Sequence, residues 1–401
     1  MSRRKWLRLG ALVFALGLVA VACGGDEQPS PGADGGGQEC TWTLGTIGAL
    51  SGDAATIGVP IFEGIEYAVD EVNKSGELAC TIELQAEDSQ GSPDQAPPLA
   101  QRLVENEELV AIVGPYFSGE TLATGDIYSD AGVAFICPSC TNETIDDQGF
   151  ATFFRAVAND AVQGPVAAEY ISGALNPSVV AVVHDNQDYS KGLAETVARE
   201  LGDIAKGPFV INPEETDYSA VVSQVADTNP DVVYYGGYVP QAGPLAKQLH
   251  EAGVDAVFVS DDGTKDAAFG ELAGPEAADG AIVTCPCVDP TQIPAAQDFV
   301  DGMRAAYGEE APGTFAADAY DAARLVFEAL KDFGPDDSIE DVRAGVVEFL
   351  KNVEGYQGIA KTYTFDDKGE VVVDPLQDIW IYEWSNEANN FVSLGPAAEL
   401  L

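Results

Sequence analysis

Basic residues are scarce in this sequence. Its 401 residues include 19 lysines and arginines against 66 aspartates and glutamates, so the formal net charge is −47. A surface of this charge repels phosphate backbones and anionic lipid headgroups, which argues against nucleic acid as a partner. A neutral, zwitterionic or cationic small molecule is easier to accommodate.

Histidine and the motifs of nucleotide binding are also nearly absent. His184 and His250 are the only histidines, and the sequence contains neither a Walker loop nor a G-x-G-x-x-G motif. The stretch DDKGE at 366–370 could suggest a calcium loop, but a tight hairpin turn explains it better. No nucleophile has a general base beside it. We therefore predict no metal site, no cofactor and no enzymatic activity.

One apolar run, from about Leu9 to Ala22, follows a basic amino terminus. This run is too short for a convincing membrane span and is typical of an export signal. Residues 20–23, AVAC, resemble the lipobox of bacterial lipoproteins, which predicts a signal peptide at 1–22, a lipidated Cys23 and a flexible tether at 23–39. The opening SRRKWLR also resembles a twin-arginine motif, so the export route stays open. We expect an exported protein that is attached to the membrane by its lipid alone. It would lie at the cell surface or on the periplasmic side of the cytoplasmic membrane.

Seven cysteines minus a lipidated Cys23 leave an even number, which suits disulfides in an oxidising compartment. Cys40 and Cys80 each precede an apolar strand pattern and could pair if the two strands are neighbours in a parallel sheet. The other four cysteines form two tight clusters, one of Cys137 and Cys140 and one of Cys285 and Cys287. They predict two more bridges, and the connectivity of these bridges stays open. The first cluster, CPSC, also resembles a thioredoxin-like site, so a thiol-disulfide oxidoreductase is an alternative, but the long chain favours a structural bridge.

Short apolar runs alternate with helical patterns from residue 41 onward. In IFEGIEYAVDEVNKSG, for example, Ile61, Ile65 and Val72 fall on one helical face. This alternation predicts parallel strands covered by helices on both faces, and it restarts near residue 160, which indicates two similar α/β halves. Ligands of such sheets collect at the carboxyl ends of the strands.

One of these carboxyl ends follows the aromatic stretch VVYYGGY at 232–238. Its first half is a strand pattern, so Tyr234 and Tyr235 are predicted in the core. The glycine pair 236–237 is predicted to end the strand and to keep the approach to a cleft free of side chains. Tyr238 would then be the first large side chain on the wall of that cleft.

Several stretches, in this order and spacing, resemble the periplasmic solute-binding proteins of the leucine, isoleucine and valine type, which serve ABC importers: IGALSGDAATIG, VGPYFSGET, GDIYSDAGVAFICPSCTNET, QGPVAAEYI, VVHDNQDYSKGLAE, DYSAVVSQV, DVVYYGGYVPQAG and FDDKGE. The resemblance implies the type I periplasmic binding protein fold, in which two Rossmann-like lobes with parallel sheets are joined by a three-strand hinge and close on a ligand. It places the first lobe at 41–159 plus 286–362 and the second at 160–285 plus 363–401.

The resemblance also implies how an amino acid would be held. In the family a serine hydroxyl and backbone N–H groups at a helix start bind the ligand carboxylate, and the matching residue is Ser118. Ser139 and Thr141 match a loop that supplies a carbonyl and a hydroxyl. An acid of the second lobe meets the ammonium group and matches Asp262, with Asp261 as the competing candidate. Two aromatic lids match Tyr189 and Tyr238.

Some positions depart from the family pattern. Asp262 stands where glutamate is usual, and Ile57 replaces a pocket aromatic. The bulky Phe117 precedes Ser118 and follows Tyr116, so the cavity is expected to be smaller or differently oriented. The disulfide positions of the family, near Gln90 and Phe117, are empty, so this chain has its own cysteine scheme.

These observations predict a monomeric binding protein that captures a small amino acid, branched-chain or similar aliphatic, by lobe closure. It would deliver this ligand to the membrane subunits of an ABC importer. A binder of a short amide, urea or a related nitrogen compound is the alternative in the same fold. A ligand-sensing receptor domain is less favoured, because a downstream membrane span and signalling module would be expected.

Overall fold

The computed structural model describes residues 40–401, so the predicted signal peptide, the lipidated Cys23 and the whole tether at 23–39 lie outside the described residues. The strands are β1 Thr41–Gly48, β2 Thr81–Asp88, β3 Leu109–Val113, β4 Ala134–Cys137, β5 Phe153–Arg155, β6 Val180–His184, β7 Ala205–Val210, β8 Val232–Gly236, β9 Val257–Ser260, β10 Ile282–Cys285, β11 Tyr356–Gln357, β12 Thr362–Tyr363, β13 Trp380–Ser385 and β14 Asn390–Pro396. The α-helices are α1 Ala55–Ser75, α2 Ala96–Val104, α3 Ser118–Asp130, α4 Asp160–Tyr170, α5 Asp188–Leu201, α6 Ser219–Asp227, α7 Val239–Glu251, α8 Ala268–Ala273, α9 Pro275–Ala278, α10 Gln297–Tyr307, α11 Ala316–Leu330, α12 Ile339–Asn352 and α13 Pro375–Asp378.

Five strands form the first sheet, which we call sheet A. Their order is β2-β1-β3-β4-β5, and every pair is parallel. The central strand β3, LVAIV, is buried at every residue, as expected for a strand with helices on both faces. One face packs against α1, and α11 packs against α1 in turn, while the other face buries residues of α2 and α3.

Sheet B has seven strands in the order β14-β13-β10-β9-β8-β6-β7. The strands β6 to β10 are parallel to one another, whereas β13 and β14 are antiparallel additions. The predicted parallel strands are therefore confirmed in both sheets, and this edge of sheet B adds an antiparallel pair. Since β13 ends at Ser385 and β14 starts at Asn390, the short connection returns the chain directly, and only an antiparallel pair allows that.

The chain passes between the two sheets at three places: after β5, after β10 and before β13. Between the second and third crossings it forms α10, α11 and α12, which belong to the sheet A side, because α11 packs on α1 and α12 packs on β3. Lys361 links all three crossings. Its Nζ donates to Ala156 O at 3.3 Å and Pro286 O at 3.4 Å, and it pairs with the buried Asp318 at 2.6 Å.

The disulfides pair Cys40 with Cys80, Cys137 with Cys140, and Cys285 with Cys287. The first bridge lies where β1 and β2 start side by side. The two clusters form internal bridges and no bridge joins one to the other, because Cys137 ends β4 in sheet A and Cys285 ends β10 in sheet B.

The helical pattern at 61–76 belongs to a longer helix, since α1 already begins at Ala55. In the second half, α4 ends at Tyr170 and a π-helical turn continues over Ile171–Leu175. The stretch 366–370 forms the predicted tight turn, in which Asp366 N donates to Glu370 O at 2.9 Å. Within the described range 40–401, no helix combines the length and apolar character needed to cross a membrane.

Candidate functional site

A cleft opens where the strand ends of sheet A face those of sheet B. The walls lie close together, and the cavity between them has a volume of only about 10 Å³. Ten residues line it: Ile57, Tyr116, Phe117, Ser118, Ser139, Tyr189, Tyr238, Asp262, Gly263 and Phe315. Five of the six predicted ligand residues are therefore brought together, and only Thr141 is missing from the lining.

Ser118 is the first residue of α3, and Phe117 occupies the capping position before it. The Ser118 hydroxyl oxygen accepts the backbone N–H groups of Thr141 and Asn142, both at 3.2 Å. An oxygen that accepts two N–H groups still carries one O–H donor. The first-turn N–H groups of α3 also have no partner within the helix and carry the positive end of its dipole. This wall can therefore bind an anionic group without a basic side chain.

The loop after β4 supports Ser118 from behind. Ser139 lines the cleft and donates its hydroxyl to Tyr116 O at 2.7 Å. Thr141 is fully buried, and its Oγ1 has no hydrogen-bond partner among residues 40–401. The predicted direct role of Thr141 in ligand contact thus stays a prediction, and its backbone serves to hold Ser118.

Arg155 fixes this loop, and the sequence analysis missed it. Its guanidinium is completely buried and donates to Cys140 O at 3.3 Å and Asn142 O at 3.0 Å. It also pairs with Asp146 at 2.6 Å and Glu370 at 3.0 Å. No local motif signals this role, because Glu370 is 215 residues away in the sequence.

On the opposite wall, Asp262 faces the cleft from the turn after β9. Its Oδ1 accepts the Gln163 side-chain amide at 2.8 Å and the Tyr189 hydroxyl at 2.9 Å, and burial raises its pKa to about 6. Asp261 does not line the cleft, since its Oδ2 accepts the Gly237 N–H at 3.0 Å. This geometry favours Asp262 over Asp261 for contact with a ligand.

Asp160 is a third buried acid beside this wall, which the sequence analysis also missed. It starts α4, and neither of its carboxylate oxygens has a hydrogen-bond partner in the part of the chain that the structure describes. Burial, and then the charge of Asp262, raise its pKa well above the usual range. Burial and the charge of Asp262 do the same to the pKa of Asp261. The charge of Lys265 acts on Asp262 and that of Arg155 on Asp160, but within residues 40–401 Arg155 forms its salt bridges with Asp146 and Glu370 instead.

Aromatic rings close the cleft from both sides. The ring centroids of Tyr189 and Tyr238 lie 5.0 Å apart, and those of Phe117 and Tyr238 lie 5.5 Å apart across the cleft. Phe315, just before α11, adds a further apolar surface that sequence reasoning missed. The bulky residues expected to narrow the cavity, Phe117 and Tyr116, do line it.

The stretch 232–238 is only partly as predicted. Tyr234 and Tyr235 are fully buried in β8. The glycine pair ends β8 as predicted, since the strand stops at Gly236. It does not serve to clear the cleft, because an added Cβ at Gly236 would lie 2.7 Å from the Ser190 carbonyl oxygen and one at Gly237 only 2.3 Å from the Tyr235 hydroxyl. The glycines therefore make room for the packing of the strand itself.

The two sides of the cleft are in contact in this structure. The Asn142 side-chain amide, which follows β4, donates to Asp188 O at the start of α5 over 2.6 Å. On another edge of the cleft, Thr314 Oγ1 donates to Lys265 O over 2.7 Å. Together with the contact of Phe117 and Tyr238, these bonds define a closed arrangement.

Comparison with known proteins gives consistent results. The family model described as periplasmic binding protein matches residues 41–389. An amino acid binding protein of Pseudomonas aeruginosa is 30% identical over 349 residues, which cover 86% of this chain and 90% of that protein. The Leu/Ile/Val-binding protein of Escherichia coli K12 is 31% identical over 332 residues, which cover 82% of this chain and 87% of that protein.

Solved structures show the same architecture. The branched-chain amino acid transporter substrate binding protein LivJ of Streptococcus pneumoniae, in complex with isoleucine, is 28% identical with a TM-score of 0.76, covering 88% of this chain and 99% of that one. The leucine binding protein LivK of Thermotoga maritima has a TM-score of 0.79 at 24% identity, covering 88% and 97%. A solute binding protein of R. palustris in complex with benzoate has a TM-score of 0.75 at 20% identity, covering 89% and 96%, so the fold also accepts other ligands. The sequence matches and the shared fold place the chain in the periplasmic binding protein family.

Proposed function

We propose that this chain is an extracytoplasmic substrate-binding protein that captures a small amino acid, branched-chain or similar aliphatic, and delivers it to an ABC importer. One observation carries the proposal: the walls of the cleft have opposite polarity, with a helix amino terminus on one and the buried acid Asp262 on the other. An amino acid zwitterion matches both walls at once. Relatives named for binding leucine, isoleucine and valine support this ligand class.

The ligand carboxylate is assigned to the wall that follows sheet A. Ser118 offers its O–H, and the first turn of α3 offers N–H groups and a partial positive charge. Ser139 and Thr141 support this end. Because only 19 basic residues exist in the sequence, a helix terminus replaces an arginine as the anion receptor.

The ligand ammonium is assigned to Asp262. Gln163 and Tyr189 already donate to its Oδ1, so the side chain is fixed before the ligand arrives. Burial raises the pKa values of the nearby Asp160 and Asp261 well above the usual range, which leaves Asp262 as the acid assigned to the ammonium. A charge-assisted hydrogen bond of this kind contributes about 1.5 to 3 kcal/mol.

The aliphatic side chain is assigned to the apolar part of the cleft, formed by Ile57, Phe117 and Phe315, with Tyr189 and Tyr238 as lids. Closing the two lobes would bury this group between them. We propose the lobe boundaries 41–159 plus 286–362 and 160–285 plus 363–401. They are supported by the sequence ranges of sheets A and B and by the return of α10, α11 and α12 to the sheet A side.

The cellular setting follows from the family and from the amino terminus. Members of a periplasmic binding protein family act outside the cytoplasm, which agrees with an export signal at 1–22. We propose that a lipid on Cys23 anchors a monomer to the membrane and that the tether to residue 39 lets it reach the importer. The function is binding and delivery rather than catalysis.

A thermal-shift panel followed by calorimetry tests this function. L-leucine, L-isoleucine, L-valine and L-alanine are compared with acetamide and urea, since a ligand that binds only the folded protein raises its melting temperature. We expect a shift with at least one aliphatic amino acid and none with the amides. A shift with urea or acetamide alone would replace the amino acid with a short amide as the ligand.

A further inference from the structure

Asn142 lies at the boundary of the cleft but does not line it. The side chain is 3% exposed and belongs to the loop after β4. Three hydrogen bonds on the sheet A side hold Asn142. Its backbone N–H donates to Ser118 Oγ, its backbone carbonyl accepts from Arg155, and its side-chain Oδ1 accepts the Thr144 N–H at 2.7 Å. These bonds leave the amide nitrogen pointing away from sheet A.

That amide nitrogen crosses to the other lobe. It donates to the backbone carbonyl of Asp188 over 2.6 Å, and Asp188 immediately precedes the lid residue Tyr189. The bond therefore connects the loop that holds Ser118 to the helix that carries Tyr189.

Gly192, one turn further along α5, makes room for this bond. A Cβ added at this position would lie 2.8 Å from Asn142 Nδ2 and 3.6 Å from Asn142 Cγ. Glycine inside a helix is unfavourable compared with alanine, so the helix gains nothing from it locally. Contact with Asn142 in the closed arrangement explains why a side chain is absent here.

We propose that Asn142 and Gly192 form a closure latch, in which the Asn142 amide holds α5 against the ligand loop once the lobes meet. The latch rests on the proposed function, because closure on an amino acid is what it would stabilise. Asn142 is a positioning residue in this scheme. It acts through Ser118 and Tyr189 without touching the ligand.

The most informative variant is Gly192→Ala. If Gly192 had only a structural role, the substitution would lower the melting temperature and the leucine affinity together. The latch predicts opposite effects: the melting temperature of the free protein stays equal or rises by roughly 1 to 3 °C, because alanine favours the helix. At the same time the Kd for L-leucine rises roughly five- to tenfold, through faster dissociation, because the Asn142 amide is displaced.

A second variant, Asn142→Ser, removes the amide and keeps an oxygen that can cap the turn at Thr144. It is expected to weaken leucine binding by a similar factor while the preference among leucine, isoleucine and valine stays unchanged. Gly173→Ala is the matched control, since the nearest atom to an added Cβ there is 4.0 Å away, and leucine binding should not change.

Small-angle scattering with and without L-leucine reports lobe closure directly. The Gly192→Ala protein is expected to be more expanded than the wild type, while Gly173→Ala matches the wild type. Superimposable wild-type and Gly192→Ala profiles in both conditions, or unchanged leucine dissociation, would overturn the latch. If calorimetry of the wild-type protein shows no binding heat with leucine, the proposed ligand is contradicted instead. The scattering profiles of the ligand-free wild type and Gly192→Ala variant then test the latch.

Discussion

The two walls of the cleft face each other but present different functional groups. The wall that follows sheet A offers the start of α3, the Ser118 hydroxyl and backbone N–H groups. The wall that follows sheet B offers Asp262, with Asp160 and Asp261 buried close by. We propose that the first wall receives an anion and the second a cation. In this proposal a helix terminus supplies the positive end, so a chain with a net charge of −47 could still bind a carboxylate.

The same contrast appears in how each wall is held. Ser118 is fixed through the loop that Arg155 binds, so a buried cation supports the anion-binding wall. Asp262 is fixed by neutral donors, Gln163 and Tyr189. The charge of Lys265 also acts on Asp262, but Lys265 Nζ donates to Thr314 Oγ1 at 3.3 Å, so the carboxylate is oriented by neutral donors.

The largest expected effect comes from removing the charge of the acidic wall. Asp262→Asn keeps the shape and loses the charge-assisted bond, so the Kd for L-leucine should rise about ten- to a hundredfold in calorimetry. Asp261→Asn is the matched control, because Asp261 lies behind the lining and should cost much less. Equal losses in the two variants would contradict the assignment of the ammonium to Asp262.

Acidic pH should weaken leucine binding at the acidic wall in the wild-type protein. The pKa of Asp262 is about 6, and an ammonium ligand requires the ionised form. Leucine affinity should therefore be roughly tenfold lower at pH 5 than at pH 7.5, as followed by titration calorimetry across this range. An affinity that stays constant down to pH 5 would show that Asp262 is not the acceptor.

The free protein should respond to pH in the opposite direction. Burial raises the folded pKa values of Asp262 to about 6 and of Glu120 and Asp321 to about 7, so the folded state binds more protons than the unfolded chain between about pH 4.5 and 7. Stability then falls as pH rises through this window. The melting temperature of the ligand-free protein should be higher at pH 5.5 than at pH 7.5, and the reverse order would refute the burial argument.

A smaller effect is expected on the other wall. Ser118→Ala removes one donor to the ligand carboxylate and the oxygen that holds Thr141 and Asn142, while the N–H groups of α3 remain. Leucine binding should weaken about five- to twentyfold. Leucinamide, which lacks the carboxylate, offers the control, since any residual affinity for it should be nearly unchanged by this substitution.

The smallest effects separate the two lids. Tyr189→Phe removes a hydrogen bond to Asp262 and should weaken leucine binding a few-fold. Tyr238→Phe keeps the ring contact with Phe117 and should change the affinity less than about twofold. If Tyr238→Phe costs more than Tyr189→Phe in the same titrations, the roles of the two lids must be exchanged.

Local sequence patterns predicted the alternation of parallel strands and helices up to β9 and the side chains at the ends of these strands. Ser118, Tyr189 and Asp262 each follow an apolar strand, so their meeting in one cleft could be expected from the rule for parallel sheets. Asp160, Arg155 and Phe315 could not be found in this way. Their partners are distant in the sequence or belong to the other lobe, and the patterns around them look like an ordinary helix start or loop.

Two further features have the same origin. The antiparallel strands β13 and β14 depend on a short connection whose direction no periodicity reveals. The sequence predicts that Gly236 and Gly237 clear the cleft because they follow a strand, whereas their neighbours in space are Ser190 and Tyr235. In both cases the deciding contact is three-dimensional.

One titration series tests the central claim most directly. Wild-type protein is titrated at pH 7.5 with L-leucine, with leucinamide, which lacks the carboxylate, and with 4-methylpentanoate, which lacks the ammonium group. If the two walls hold the two ends of a zwitterion, leucine binds and each analogue binds at least roughly tenfold more weakly. Binding of either analogue as tightly as leucine would contradict the account of the wall that it leaves unused.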